Sequence, residues 1–244
     1  MQIRIVHLYP DLLNLYGDRG NITCLQKRCE WRSIEVVVTE HKTGDPLNLD
    51  ETDILFLGGG SDREQKIVAN YLQAHKNELR DYIENDGVLI AVCGGYQLIG
   101  HYYQSENEKI EGLSLVDIYT VSEKKRLIGN VVIQSDMDGL QTKIAGFENH
   151  AGRTYVGSHT PLGTVVCGYG NNAQDSTEGI IYKNTIGTYL HGPLFPKNPE
   201  LADFVITKAL ERRYGEEILL PELDDFEEAR ANAYAVSRFS TKSS

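Results

Sequence analysis

The chain has 244 residues and carries 35 acidic against 24 basic side chains, a formal net charge of −11. That balance gives no electrostatic footprint for a phosphate backbone and argues against nucleic acid as a partner. The length suits one large α/β domain better than two small ones, no apolar run nears the roughly 18 residues of a membrane span, and MQIRIVHLYP lacks the basic start and long apolar stretch of a signal peptide. A cytoplasmic protein without membrane insertion is expected. Four cysteines (Cys24, Cys29, Cys93, Cys167) are too few for a disulfide framework. No cluster of His, Cys and carboxylates has metal-site spacing, so no metal is expected.

In chain order, IRIVHL near the start, IEVVVTE at 34–40, DILFLGGG at 53–60 and VLIAVC at 88–93 are short β-branched runs that end in polar or glycine punctuation. They predict buried parallel strands. Helical spacing from Gly20 to Trp31, and one helix or two from Asp62 to Asn85, supplies the crossovers of a doubly wound sheet. From Gly112 onward the pieces are closely spaced (LSLVDIYT, RLIGNVVIQ, KIAGF, RTYV, TVVCGYG, EGIIYKN, IGTYLHG) and predict a mostly antiparallel region at the sheet edge. GYGNNA at 168–173 loosely matches a dinucleotide loop, but turn residues follow where such a site demands a helix, so a hairpin turn is expected. The absence of G-x-x-x-x-G-K-[ST] argues against ATP binding by this chain alone. Pro199 to Tyr214 is amphipathic, and Glu222 to Ser244 is charged and weakly patterned.

VCGG at 92–95 has the composition of a nucleophile elbow, a strand turning sharply into a helix through a nucleophile and small residues. Cys93 at a helix N-terminus would be favoured as thiolate, and the Gly94 amide would face an oxyanion. The bland alternative is a cysteine filling space at a strand end. LGGGSDREQ at 57–65 closes the preceding parallel strand and reaches the same carboxyl edge, where the amide of Gly59, or that of Gly60, would supply a second oxyanion donor. Its glycines also serve a plain strand-to-helix turn capped by Ser61 or Asp62. Of seven histidines, His191 follows the strand-like IGTYL and is the first candidate base, with His150 in FENHAGRT second.

These residues resemble the class I glutamine amidotransferases of the cobyric acid synthase branch, through GGG at 58–60, VCGGYQLIG at 92–100 and GTYLHGP at 187–193. More narrowly they are similar to the glutaminase subunits of lipid II isoglutaminyl synthases, through GNI at 20–22, GGGSDREQ at 58–65, CGGYQ at 93–97, GFENHAGRTY at 146–155, GYGNN at 168–172 and YLHGP at 189–193. The resemblance implies a flavodoxin-like, doubly wound, mostly parallel sheet with an antiparallel edge region. With the composition and the missing cofactor motifs, the expected organisation is an amidotransferase domain over 1–220, a charged tail over 221–244 and no cofactor. Cys93 would attack the side-chain amide of L-glutamine, His191 would shuttle the proton, and Arg126 would grip the substrate, as a guanidinium fork suits a carboxylate. Ammonia would pass to a separate Mur-ligase-like, ATP-dependent synthetase subunit that amidates the D-glutamate of lipid II.

One position departs from the wider superfamily. Most triad amidotransferases carry glutamate two residues after the histidine, and here that position is Pro193. Either Cys93 and His191 form a dyad, or a carboxylate comes from elsewhere: an aspartate of the ligase subunit, or Glu148 within the chain. The competing readings are an amidotransferase with a cobalamin-pathway acceptor, a non-catalytic subunit that positions a ligase, and a related cysteine hydrolase.

Overall fold

The computed structural model of the chain describes residues 1–14 and 18–240. Four strands form its parallel centre: β1 (Gln2–Leu8), β2 (Glu35–His41), β3 (Ile54–Leu57) and β4 (Val88–Val92). Every residue of β3 and β4 is buried, as the continuous apolar runs require when helices cover both faces of a sheet. The crossovers are α1 (Arg19–Glu30), then α2 (Asp62–Leu72) and α3 (Lys76–Glu84), and a short α4 (Gly94–Ile99) leaves β4 directly.

The second half differs from the sequence expectation in two places. IGTYLHG pairs antiparallel with the preceding strand, Ile180–Tyr182, as expected, but the other side of its strand, Thr185–Thr188, pairs parallel with β4, and Thr188 lies opposite Val92. LSLVDIYT enters a strand only with its last two residues. The second sheet holds β5 (Tyr102–Gln104), β6 (Lys109–Glu111), β7 (Tyr119–Met137), β8 (Leu140–Tyr155), β9 (Gly163–Cys167) and β10 (Thr177–Glu178). The chain then returns to the first sheet through β11 (Ile180–Tyr182) and β12 (Thr185–Thr188), completing the order β11-β12-β4-β3-β1-β2. Local alternation cannot report whether a four-residue strand will find a parallel or an antiparallel neighbour, and burial between sheet layers decides it.

The second sheet runs β10-β9-β7-β5-β6, with β8 on β7. Its backbone is the long β7–β8 hairpin, turned at Asp138 and Gly139, where Gly139 has the positive φ of 78° that such a turn favours. The 168–173 segment joins the antiparallel β9 and β10, as a hairpin turn should. Two backbone hydrogen bonds tie the sheets together: the His191 amide donates to the Phe147 carbonyl at 2.8 Å and the Phe147 amide to the His191 carbonyl at 3.3 Å.

α5 (Pro199–Tyr214) buries Leu201, Ala202, Val205, Ile206, Ala209 and Leu210, and α6 (Phe226–Ser240) packs on the second sheet. A buried charge cluster joins these segments to α1. Arg28, 2% exposed, pairs with Asp203 and Asp225 at 2.6 Å each, and Arg32 pairs with Asp203 at 2.6 Å. No described helix is long and apolar enough to cross a membrane.

Candidate active site

Cys93 adopts φ 52° and ψ −104°, a conformation that non-glycine residues rarely hold and that costs on the order of 1–3 kcal/mol. Its surroundings impose it. The Cys93 amide donates to the Thr188 carbonyl at 2.8 Å, so β12 holds the residue from one side. On the other, the Gly95 amide donates to the Gly58 carbonyl at 3.1 Å, and a side chain at Gly95 would meet the Leu57 carbonyl oxygen at 2.4 Å. Only glycine at 95 lets α4 leave β4 this tightly against the end of β3. The elbow read from VCGG is present.

Cys93 opens on a cleft of about 380 Å³ that Gly60, Gln65, Gln97, Arg126 and His150 also line. The thiolate expectation is corrected: burial pushes the Cys93 thiol up to about 12, Asp18 adds to the rise, and the Gly94 amide and Arg126 oppose it. At this site desolvation outweighs the terminal amides of a six-residue helix.

Gly59 abuts Cys93, since a Cβ there would lie 3.0 Å from the Cys93 Cβ and 3.6 Å from Sγ. Its amide donates to Asp18 Oδ2 at 3.0 Å, and burial raises that carboxyl to about 6. Gly60 lines the cleft itself. The capping role of the loop coexists with this, for Ser61 is the N-cap of α2 and its amide donates to Glu64 Oε2 at 3.1 Å.

His191 lies three residues beyond β12, on the strand next to that of Cys93 and at the same carboxyl edge. It is 1% exposed, and burial, with His150, Arg126 and Lys197, lowers it to about 3, so the ring is neutral at neutral pH. Among the described residues that line the Cys93 cleft, the histidine is His150. His150 stacks on Tyr189 with centroids 3.6 Å apart and an interplanar angle of 5°; its Nδ1 is 2.7 Å from the Gly152 carbonyl and its Nε2 3.4 Å from Glu148 Oε2. Glu148 also accepts the amides of Tyr169 at 2.7 Å and Gly170 at 3.0 Å. Pro193 packs toward α1, 2.7 Å from where a Cβ on Gly20 would stand.

Arg126 sits in the irregular stretch of β7 between Ser122 and Leu127, where the ladder with β8 shifts register. That irregularity frees the side chain to turn into the cleft. Its Nε donates to Asn149 Oδ1 and its Nη2 to the Asn149 carbonyl, each at 2.8 Å. The structure therefore brings Cys93, Gly60 and Arg126 into one cleft, with Gly59 and Gly94 next to Cys93 and His191 buried at the neighbouring strand end.

Sequence reasoning missed Asp18, Gln65 and Gln97. Gln97 donates to the Tyr189 hydroxyl at 3.1 Å, and that hydroxyl shares a 2.6 Å hydrogen bond with Thr154 Oγ1. An amide on a helix whose other residues are glycine, tyrosine, leucine and isoleucine was the available signal. Among the described residues, no group of three or more His, Cys, Asp or Glu could hold a metal.

Residues 4–199 match the model of the CobB/CobQ-like glutamine amidotransferase domain. The chain belongs to that family. It is 44% identical to the GatD subunit of the glutamine-hydrolyzing lipid II isoglutaminyl synthase of Staphylococcus aureus strain N315, over 97% of this chain and 96% of that one. It is 42% identical to the subunit of the same name from Streptococcus pneumoniae strain R6, over 92% and 86% of the two chains. A probable cobyric acid synthase of Methanococcus maripaludis is 30% identical over 63% of this chain but only 32% of its own length. A crystal structure of a glutamine amidotransferase superimposes with a TM-score of 0.56 at 13% identity, covering 84% of this chain and 98% of that one, which shows a common fold. The family's class I amidotransferase fold, a doubly wound parallel sheet with an attached antiparallel region, is the architecture described above.

Proposed function

We propose that this chain is the glutamine-hydrolysing subunit of a lipid II isoglutaminyl synthase. Cys93 Sγ attacks the carboxamide carbon of L-glutamine while its proton passes through His191 to the departing nitrogen. Ammonia leaves, a γ-glutamyl thioester remains, and water hydrolyses the thioester to glutamate and restores the thiol. Gly94 and the Gly59–Gly60 loop supply amides to the tetrahedral oxyanion, and Arg126 grips the substrate α-carboxylate. The observation that carries this reading is the strained Cys93 elbow on the cleft, in a chain alike over nearly its whole length to two such subunits.

The ammonia goes to a Mur-ligase-like, ATP-using subunit that amidates the α-carboxyl of D-glutamate in the lipid II stem peptide, in the cytoplasm. A protonated thiol and a neutral imidazole form a weakly reactive pair, and Pro193 offers no carboxylate to orient His191. Both support a partner that completes the site with an aspartate. The amidotransferase domain spans 1–220, and the charged segment 221–244 follows it, its α6 packed on the second sheet and its Asp225 paired with Arg28.

Ammonia release from glutamine, measured for the chain alone and with its ligase partner, tests the proposal together with labelling by 6-diazo-5-oxo-L-norleucine. The expected results are labelling at Cys93, loss of ammonia release in Cys93→Ala, and much greater activity in the complex. Labelling elsewhere, or none even with the partner, overturns it.

A further inference from the structure

Gln65 belongs to the first turns of α2, yet it is only 3% exposed and lines the cleft that holds Cys93 and Arg126. Its Nε2 donates to the Gly60 carbonyl at 3.2 Å, which fixes the orientation of the amide. Its Oε1 is buried with no hydrogen-bond partner among the described residues. The same side chain lies against the elbow: a Cβ on Gly94 would be 2.7 Å from Gln65 Nε2 and 2.9 Å from Cδ.

A buried acceptor left unpaired opposes folding, and Oε1, on a side chain that lines the cleft, is satisfied when a bound ligand brings a donor to it. The groups expected to hold the substrate's oxygens, the Gly94 amide and the Arg126 guanidinium, are all donors. The Gln65 amide, which packs against Gly94 through Nε2 and Cδ, also carries an acceptor, Oε1, whose opposite polarity suits a different part of the same ligand. The carboxamide nitrogen of glutamine is the donor attached to the reacting carbon, next to the oxygen that Gly94 would receive.

We propose that Gln65 is a specificity-determining residue whose Oε1 accepts an N–H of the substrate carboxamide. This rests on the reading of the chain as a glutamine hydrolase and extends it. The contact orients the leaving nitrogen away from the oxyanion amides, and it disfavours product, because a carboxylate oxygen of glutamate would face Oε1 lone pair to lone pair. A site that hydrogen-bonds a substrate N–H discriminates strongly against an analogue that lacks it.

The two-subunit enzyme provides the test, with Gln65→Met as the variant of similar volume. Two reagents are compared: glutamine, which has the carboxamide N–H, and 6-diazo-5-oxo-L-norleucine, whose diazoketone has none. The expected result is a KM for glutamine raised at least about tenfold, a smaller preference for glutamine over glutamate as competing ligand, and a rate of Cys93 labelling within about twofold of wild type. Equal loss of labelling and hydrolysis would mean that Gln65 only props the elbow, and an unchanged KM would mean that it reads nothing; either outcome sinks the inference. A wild-type complex that neither hydrolyses glutamine nor is labelled at Cys93 overturns the underlying functional reading instead.

Discussion

Asp18 Oδ2 accepts the Gly59 amide proton at 3.0 Å, across 41 residues of sequence, and its charge bears on the Cys93 thiol. A carboxyl with a value of about 6 is ionised at neutral pH, so the resting site carries a negative charge that bears on Cys93, and the Gly59 amide, a proposed oxyanion donor, is engaged by Asp18. Asp18→Asn keeps an oxygen for Gly59 and removes the charge. Alkylation of Cys93 by iodoacetamide is then expected to quicken by roughly threefold to tenfold at pH 8, with its pH profile moved to lower pH. An unmoved profile would show that Asp18 does not influence the thiol.

The fork of Arg126 is held by two 2.8 Å hydrogen bonds to Asn149 at the cleft wall. Lysine retains the charge and loses the planar pair of donors. For Arg126→Lys the KM for glutamine is expected to rise about tenfold with a smaller change in kcat, since the proposed contact is to the unreacting end of the substrate. Steady-state kinetics of the complex decides this.

His191 is lowered to about 3 by burial and by the neighbouring cations. An imidazole with that value stays unprotonated from pH 7 down to pH 5, so kcat/KM should show no acid limb from His191 in that range. His191→Asn is expected to lower kcat by at least about 100-fold, the usual worth of a general base. A full-sized activity in that variant would assign proton transfer elsewhere, with His150 the next residue to replace.

Glu178 is fully buried beneath β12, where it accepts the Tyr189 amide at 2.6 Å and the Thr188 hydroxyl at 2.9 Å. Burial raises it to about 8 from an ordinary 4.5. Between those values the folded chain holds a proton that the unfolded chain has released, so its contribution is complete below about pH 4.5 and is lost as pH rises toward 8. Glu178→Gln cannot ionise. Its denaturation midpoint should fall less than that of wild type between pH 5 and pH 8; parallel curves would count against a protonated Glu178.

The parallel strands, the crossover helices, the elbow and α5 were legible because each is written in local pattern: apolar runs that end in glycine, amphipathic spacing, a cysteine ahead of two glycines. The thiolate was misread because helix position is visible in VCGG while burial depends on Asp18, Gly59 and the second sheet, which meet only in the folded chain. The antiparallel pairing of IGTYLHG with EGIIYKN was legible, but its parallel pairing with β4 was not, because three strand residues carry no record of a neighbour distant in sequence. Gln65 stands in a polar segment, SDREQK, and only the approach of Gly94 gives it an unusual position. Arg126 entered through resemblance alone, because the irregular stretch of β7 that frees it leaves no mark in composition.

The bond from the Cys93 amide to the Thr188 carbonyl also has a bearing on biosynthesis. β4 emerges from the ribosome with one flank bare, and the whole second sheet must be translated before β12 arrives to cover it. A nascent chain halted anywhere before residue 188 therefore lacks the strand that holds Cys93 in its strained pose. Competence toward glutamine is thus delayed until translation is well past the hairpins, and the incomplete chain exposes a bare apolar strand edge that chaperones would recognise.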